Sequence, residues 1–267
     1  MRLLDKRCLI VGGTSGLGLA AARRFLAEGA RLVIAGDDDL QGEAALEALG
    51  RPTTLRFVRC DATVSAEVDA LWRESVSFLQ GLDVLYHTAG GSGRRFGDGP
   101  LHECSEEGFA ETLALNLRST FLTNRAAVRH FLAQRQPGAI LNTASVLALS
   151  PSPGCFDTIA YTAAKGGVIA LSRQAAARYA ADGIRVNVLA PGLIDTPMAA
   201  RAVSDPAVAV FLKTKQPLRG GPGAADDCRE AAVFLCGDAA RFVTGVVLPV
   251  DGGWCLSDGQ FSNEPGA

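Results

Sequence analysis

Along almost the whole chain, short apolar runs alternate with stretches whose apolar residues recur at helical period. Cys8–Val11, Leu32–Ala35, Leu55–Val58, Leu82–Tyr86, Ala139–Leu141, Val186–Leu189 and Val246–Val250 read as buried strands. Helices are predicted between them at about 16–28, 40–49, 64–79, 106–134, 158–182 and 224–236. The fourth carries Phe109, Leu113, Leu117 and Phe121 at four-residue spacing, which puts them on one face. Such alternation, with no linker or repeat, predicts one α/β domain over 1–267, a parallel sheet covered by helices on both sides. Two stretches fit neither element: the glycine-rich 90–100 and the Pro/Gly-rich 191–222. Loops of that length in a compact domain are usually functional.

Composition narrows the function. Hydrophobic residues make up 48% of the 267 and charged residues 20%, which excludes disorder. With 26 basic and 28 acidic residues the net charge is −2 and no basic stripe appears, so no nucleic-acid partner is expected. The seven cysteines are scattered without a Cys-x-x-Cys pair, and His87, His102 and His130 lie far apart. Neither a disulfide framework nor a metal site is expected; free thiols point to a reducing, cytoplasmic setting. The run after Arg2, Lys6 and Arg7 stops at Gly12 and is too short for a signal peptide. The longest uncharged stretch, 136–156, holds three serines and three prolines, so no membrane span is expected.

The first strand runs into Gly12-Gly-Thr-Ser-Gly16-Leu-Gly18, which opens a helix. Glycines there allow a pyrophosphate to reach the helix N-terminus, where free N–H groups and the dipole favour anions. An isolated triplet means little; between a strand and a helix it points to a nucleotide. An acid should then meet the adenosine ribose about 20 residues on. Asp37 stands there, in Gly36-Asp37-Asp38-Asp39, where Asp39 is expected to cap the next helix. Asp61 follows the third strand, either as an acceptor for the adenine amino group or as a turn residue.

Tyr161-Thr-Ala-Ala-Lys165 sets a phenol and an ammonium one helical turn apart. Ser145 follows a strand, and Asn116 lies inside a predicted helix. With these, the chain from about 6 to 254 resembles the short-chain dehydrogenase/reductase family. The resemblance rests on GGTSGLG, CDAT at 60–63, TAG at 88–90, Asn116 in LALNLRS, NTAS ending at Ser145, YTAAK, Pro191-Gly192 with Thr196, and DGG at 251–253. It implies a doubly wound Rossmann fold of about seven strands, and hydride transfer between a nicotinamide cofactor and a secondary alcohol or ketone. Catalysis would rest on Asn116, Ser145, Tyr161 and Lys165. Tyr161 exchanges the substrate proton, Ser145 bonds the substrate oxygen, Lys165 binds the nicotinamide ribose, and Asn116 holds a water leading to solvent. Cofactor contacts would come from Gly12, Ser15, Gly16, Leu17, Gly18, Asp37, Asp61, Ala62, Ala89, Gly90, Tyr161, Lys165, Pro191, Gly192, Ile194 and Thr196, and from no metal. A homotetramer is also implied, supported by two helices longer than one sheet requires.

A phenol of pKa ~10 is a poor base near neutrality. An ammonium at ~4 Å and an effective dielectric of ~20 would favour the phenolate by ~4 kcal/mol, about three pKa units. NAD is favoured over NADP because Ser15 and Asp37 stand where basic groups would meet a 2′-phosphate, although NAD enzymes of the family usually place the acid at the position of Gly36 here. His87-Thr88 replaces the family's Asn-Asn, and a packed histidine is expected. The segment between Ser145 and Tyr161 is longer than usual and borders the site. Arg94 and Arg95 are candidates to meet an anionic substrate or simply to be solvated. The loop at about 194–221 is expected to line the substrate pocket, with Met198, Val203, Val208, Phe211 and Leu212 as apolar candidates. Two other readings stand beside the dehydrogenase: a catalytically silent nucleotide-binding sensor or scaffold, and a sugar-nucleotide epimerase or dehydratase.

Overall fold

A computed structural model describes residues 1–260; residues 261–267, counted within the expected domain, lie outside the described residues. In chain order the elements begin β1 (Arg7–Val11), α1 (Gly16–Ala27), β2 (Arg31–Gly36), α2 (Asp39–Ala48), β3 (Leu55–Arg59), α3 (Ser65–Leu79) and β4 (Val84–His87). Then come α4 (Glu106–Leu113), α5 (Ser119–Gln134), β5 (Gly138–Thr143), α6 (Ile159–Tyr179) and β6 (Ile184–Pro191). The last third holds β7 (Ile194–Asp195), α7 (Ala200–Val203), α8 (Pro206–Lys215), β8 (Gly223–Ala224), α9 (Ala225–Cys236) and β9 (Val247–Val250). The stretch 191–222, expected to be loop, therefore carries short elements of its own.

Seven strands form one parallel sheet in the order β3-β2-β1-β4-β5-β6-β9. The chain steps outward from β1 to β3, then returns to β4 on the other side. That reversal opens a crevice at the carboxyl ends of β1 and β4, the usual ligand position in a doubly wound Rossmann sheet. Alternate strand residues feed two cores: Ile10, Ile34 and Tyr86 pack with α1 and α9, and Leu9, Val33 and Leu85 with α3 and α5.

The predicted helix 106–134 differs from expectation in two ways. It is interrupted by a π-helical turn, Ala114–Arg118, around Asn116, and around that turn its amphipathicity is inverted, while Leu122, Ala127, Val128 and Phe131 further on pack into the core as usual. Phe109 and Phe121 are 42% and 45% exposed, whereas Thr112, Asn116, Ser119, Thr120 and Thr123 are at most 1% exposed. The buried face is polar because its hydroxyls return to the helix's own carbonyls. Ser119 donates to Leu115 O (2.6 Å), Thr120 to Asn116 O (2.7 Å) and Thr112 to Gly108 O (2.6 Å). The first two serve carbonyls within the widened turn, and the third serves one in the helix that precedes it.

Two side chains of the sheet continue that polar layer. Asn142 exchanges two 2.8 Å hydrogen bonds with Asn124 of α5 and donates to Ser172 of α6 (2.9 Å). Beside it in the sheet, His87 meets the Thr123 hydroxyl (3.0 Å) and the Ser119 hydroxyl (3.4 Å). It is a packed histidine; burial, and then the nearby Lys165 charge, pushes its pKa down to about 3.

Candidate active site

The glycine turn is pinned to β2: Gly12 N and Gly13 N both donate to Ala35 O, at 2.8 and 3.0 Å. Ser15, the N-cap of α1, makes no side-chain cap bond, and the first turn carries no acid. Backbone N–H groups at this end thus lack a side-chain partner and face the crevice with the positive end of the helix dipole. These residues fit a dinucleotide pyrophosphate. Thr88 supplies the tie that the family's asparagine would make, its hydroxyl donating to Gly12 O (2.9 Å) and lying 3.1 Å from Val11 O.

At the end of β2 the structure explains why the acid is displaced. A Cβ built on Gly36 would lie 2.8 Å from the Thr14 hydroxyl and 3.0 Å from its methyl, so Thr14 fills the space that an acid at 36 would need. Asp37 takes over and lines the crevice. The capping assignment is corrected: α2 begins at Asp39, and Asp38 is its cap, accepting from Gln41 N (2.9 Å). Asp61 also lines the crevice, while its Oδ1 accepts from Thr63 N (2.8 Å) and the Thr63 hydroxyl (2.7 Å), so the turn role is filled. Basic residues on the elements around this end are engaged: Arg59, beside Gly36 in the sheet, lies 3.4 Å from Glu67. Arg24 pairs with Glu28 (2.8 Å) and Glu230 (2.7 Å), and Arg31 donates to Phe78 O (3.1 Å).

Every sequence-predicted cofactor residue lines one cleft of about 600 Å³, as do Ser145, Tyr161 and Lys165. Asn116 does not; it sits behind the wall. Its amide donates to Gly91 O (3.0 Å) and Thr112 O (2.9 Å), and its Oδ1 accepts from Gly91 N (3.1 Å). Both amide hydrogens are therefore taken, and only Oδ1 retains a lone pair for the expected water. Gly90 packs between Asn116 and Lys165: a Cβ there would lie 2.6 Å from Asn116 Oδ1 and 3.2 Å from Lys165 Nζ.

Lys165 is 3% exposed, donates to Thr143 O (3.0 Å) and lies 5.5 Å from the Tyr161 ring centroid. Burial pushes its pKa down to about 8. It pushes the Tyr161 phenol up to about 12, with the Ser145 hydroxyl opposing the rise. In the protein alone, burial therefore holds the phenol above its ordinary value. Both groups lose water, and desolvation disfavours the charged form of each.

A residue that pattern reading missed holds the helix that carries Tyr161 and Lys165. Asp98, 5% exposed, accepts from Ala160 N (2.9 Å) and Tyr161 N (3.0 Å). It caps α6 from outside, where Thr158 makes no side-chain cap bond.

On the substrate side, Met198 lines the cleft, but Val208 and Leu212 are buried beneath it and Phe211 packs with them. Val203 does not line it. The apolar residues of α8 mainly pack that helix onto Val146, Leu147 and Trp254. The longer segment after Ser145 instead supplies Phe156, whose ring meets Trp254 edge-on with centroids 5.5 Å apart. Phe211 meets Trp254 at the same distance, and the indole N–H donates to Ser150 O (3.0 Å). Gln216 fastens the loop after β6, accepting from Leu193 N (2.6 Å) and donating to Gly221 O (2.9 Å).

A doubly wound sheet with an anion-receiving glycine turn at its switch point, joined to a half-buried tyrosine and a buried lysine one helical turn apart, defines a nicotinamide-dependent oxidoreductase. Comparison with known proteins makes this specific. A family model described as enoyl-(acyl carrier protein) reductase matches residues 11–255. Momilactone A synthase of Oryza sativa is 36% identical, covering 97% of this chain and 93% of that protein. The 3beta-hydroxysteroid dehydrogenase 1 of Eggerthella lenta is 35% identical, covering 96% of each. Cis-4-hydroxycyclohexanecarboxylate dehydrogenase of Sinomonas cyclohexanicum is 36% identical, covering 94% of this chain and 96% of that protein. The crystal structure of levodione reductase superposes with a TM-score of 0.86 at 30% identity, covering 95% of this chain and 99% of that one. The chain belongs to the short-chain dehydrogenase/reductase family and is an NAD(P)-dependent oxidoreductase acting on CH–OH groups.

Proposed function

We propose that residues 1–267 form a single dinucleotide-binding and catalytic domain that exchanges hydride between NAD and a secondary alcohol or its ketone. The observation that carries this reading is that Ser145, Tyr161 and Lys165 open into the same cleft as the glycine turn. Bound in that cleft, the nicotinamide supplies the hydride acceptor or donor and, when oxidised, a positive charge beside the phenol. In the oxidising direction the Tyr161 oxygen takes the hydroxyl proton while Ser145 donates to the same substrate oxygen. In reduction, the phenol returns it. Lys165 holds the nicotinamide ribose and keeps a cation near the phenolate, and Asn116 fixes the Gly90–Gly91 wall beside it. The loop at about 194–221 covers the substrate, with Met198, Phe156 and Trp254 giving an apolar pocket.

NAD preference is supported by Asp37 at the ribose end and by the engagement of Arg24 and Arg31 elsewhere. A homotetramer is supported by the shallow apolar groove that Leu113, Leu117 and Phe121 form with Leu171 of α6; light scattering giving about the monomer mass would remove it. Free cysteines support a cytoplasmic setting. No helix among the described residues is long and apolar enough to cross a membrane. Two of these relatives are named as dehydrogenases and the solved structure as a reductase, and nothing favours a silent scaffold.

The test is a screen of secondary alcohols and ketones with NAD(H) and NADP(H), followed at the nicotinamide absorbance, with Tyr161→Phe beside the native protein. That substitution keeps the ring and removes the exchangeable proton. It should lower kcat by ~100-fold or more and leave cofactor affinity nearly unchanged. Retention of most activity would remove Tyr161 from the mechanism.

A further inference from the structure

Resting on that reading of the site, we propose that the substrate carries an oxyanion, a carboxylate or a phosphate ester, at the end remote from its carbinol carbon, and that Arg94 and Arg95 receive it.

The charges lining the cleft are divided by sign. Asp37 and Asp61 stand at the adenosine end. Beyond them the charged groups are Lys165, Arg94, Arg95 and Arg201 of α7, with no acidic residue in the wall. Side chains of one sign along a cleft with low-dielectric walls concentrate their field inside it. Among the described residues no carboxylate pairs with Arg94 or Arg95. Asp98 is spent on the start of α6, and the acids of α4, which packs against the turn carrying both arginines (Glu106, Glu107 and Glu111), form no ion pair with either of them.

The two arginines stand on a fixed mount. They occupy the 3-10 turn Gly93–Phe96, with Ser92 accepting from Arg94 N. The Arg95 guanidinium lies over the Phe96 ring, 4.5 Å from its centroid, which restricts the fork before any ligand arrives. Two residues past the turn, Asp98 accepts from the backbone N–H of Tyr161 at 3.0 Å. The cationic turn is thus tethered to the residue that exchanges the proton, and substrate held at both points is held in register. The same cleft is lined by the apolar side chains of Leu147, Phe156 and Trp254. A molecule complementary to all three parts has a carbinol, an apolar body and an oxyanion, which an arginine fork binds with two parallel hydrogen bonds.

The probes are 5-hydroxyhexanoate and 7-hydroxyoctanoate, the primary amide of each, and the 1-phosphate of hexane-1,5-diol. Each is titrated into the native protein with NAD by calorimetry and assayed for turnover. The amide keeps the shape of the acid and removes only the charge. The expected result is an anion bound at least ~10-fold more tightly than its neutral counterpart (the amide for each acid, hexane-1,5-diol for the phosphate), with the advantage shrinking as salt is raised. In Arg94→Met/Arg95→Met the advantage should fall to about onefold while affinity for the amides is unchanged. Whichever anion shows the larger advantage identifies its source. Equal binding of acid and amide by the native protein, or an advantage that survives in the double variant, overturns the subsite. Because the binding arm needs no turnover, a selective anion site without oxidation of any alcohol would overturn the proposed chemistry instead.

Discussion

Asp98 accepts a hydrogen bond from the backbone N–H of Tyr161, and so a loop after the fourth strand fixes the backbone that carries the Tyr161 phenol. Replacing it with alanine orphans two buried N–H groups at the start of α6. The expected cost is about 1–3 kcal/mol of stability, with kcat falling at least ~10-fold because a small displacement of a reacting group is costly. Asp98→Asn, which retains an acceptor oxygen, should recover part of the kcat. Urea unfolding and steady-state kinetics on the three proteins check this. Full activity in Asp98→Ala would show that the cap does not position Tyr161.

Lys165 gives a pH signature. Its folded pKa of about 8 lies below the ordinary lysine value, so the unfolded chain binds more protons between about pH 8 and 10.5. The charged form is disfavoured in the fold at neutral pH, and that penalty is relieved as pH rises through this window. Buried thiols such as Cys60, Cys228 and Cys236, raised to about 12, act in the opposite sense above their ordinary pKa. The clean quantity is therefore the stability difference between native protein and Lys165→Met. We expect the native protein to gain about 3 kcal/mol on the variant from pH 8 to 10.5, and the variant to be inactive throughout. A difference independent of pH would refute the depressed value.

Asp37 should set cofactor choice. At ~5 Å and an effective dielectric of 40–80, its repulsion of a 2′-phosphate is about 2–3 kcal/mol, roughly 30- to 150-fold. Asp37→Ala should narrow the NAD/NADP ratio of kcat/KM by a factor in that range. An unchanged ratio would leave Asp37 as a turn residue.

Asn142 tests the buried polar layer. Asn142→Leu removes its bonds to both Asn124 and Ser172 inside the core. We expect a loss of about 2–4 kcal/mol in urea unfolding. The double variant Asn142→Leu/Asn124→Leu should be less destabilised than the sum of the two single changes, because no half-satisfied amide is left behind.

Tyr161, Lys165 and the glycine turn were legible in the sequence because their chemistry depends on spacing within one turn of chain. Asp98 was not, for it acts across 63 residues through a bond to backbone, which leaves no side-chain pattern to read. The shift of the acid from position 36 to 37 was visible; its cause, the Thr14 side chain in front of Gly36, lies on a different strand-end turn. The inversion of the 106–134 helix defeated the usual rule for a plainer reason. Apolar spacing reveals that a face will be covered, and carries no information on whether this chain or another copy covers it. Its polar inner face is satisfied by hydroxyls bonding within the helix and by partners on β4 and β5, which hydrophobic periodicity does not register.

The π turn at Ala114–Arg118 acts as a frame shift in three dimensions. One additional residue in a helical turn rotates everything downstream by about 100° relative to an uninterrupted α-helix. Upstream of it the rod is phased to turn Thr112 inward, and downstream it is phased to turn Ser119, Thr120 and Thr123 towards β4 and β5. Deleting a single residue here would restore a regular helix and misphase the remaining turns of α5, presenting the wrong side chains to His87 and Asn142. The chain can exchange residues along this rod far more readily than it can change their number.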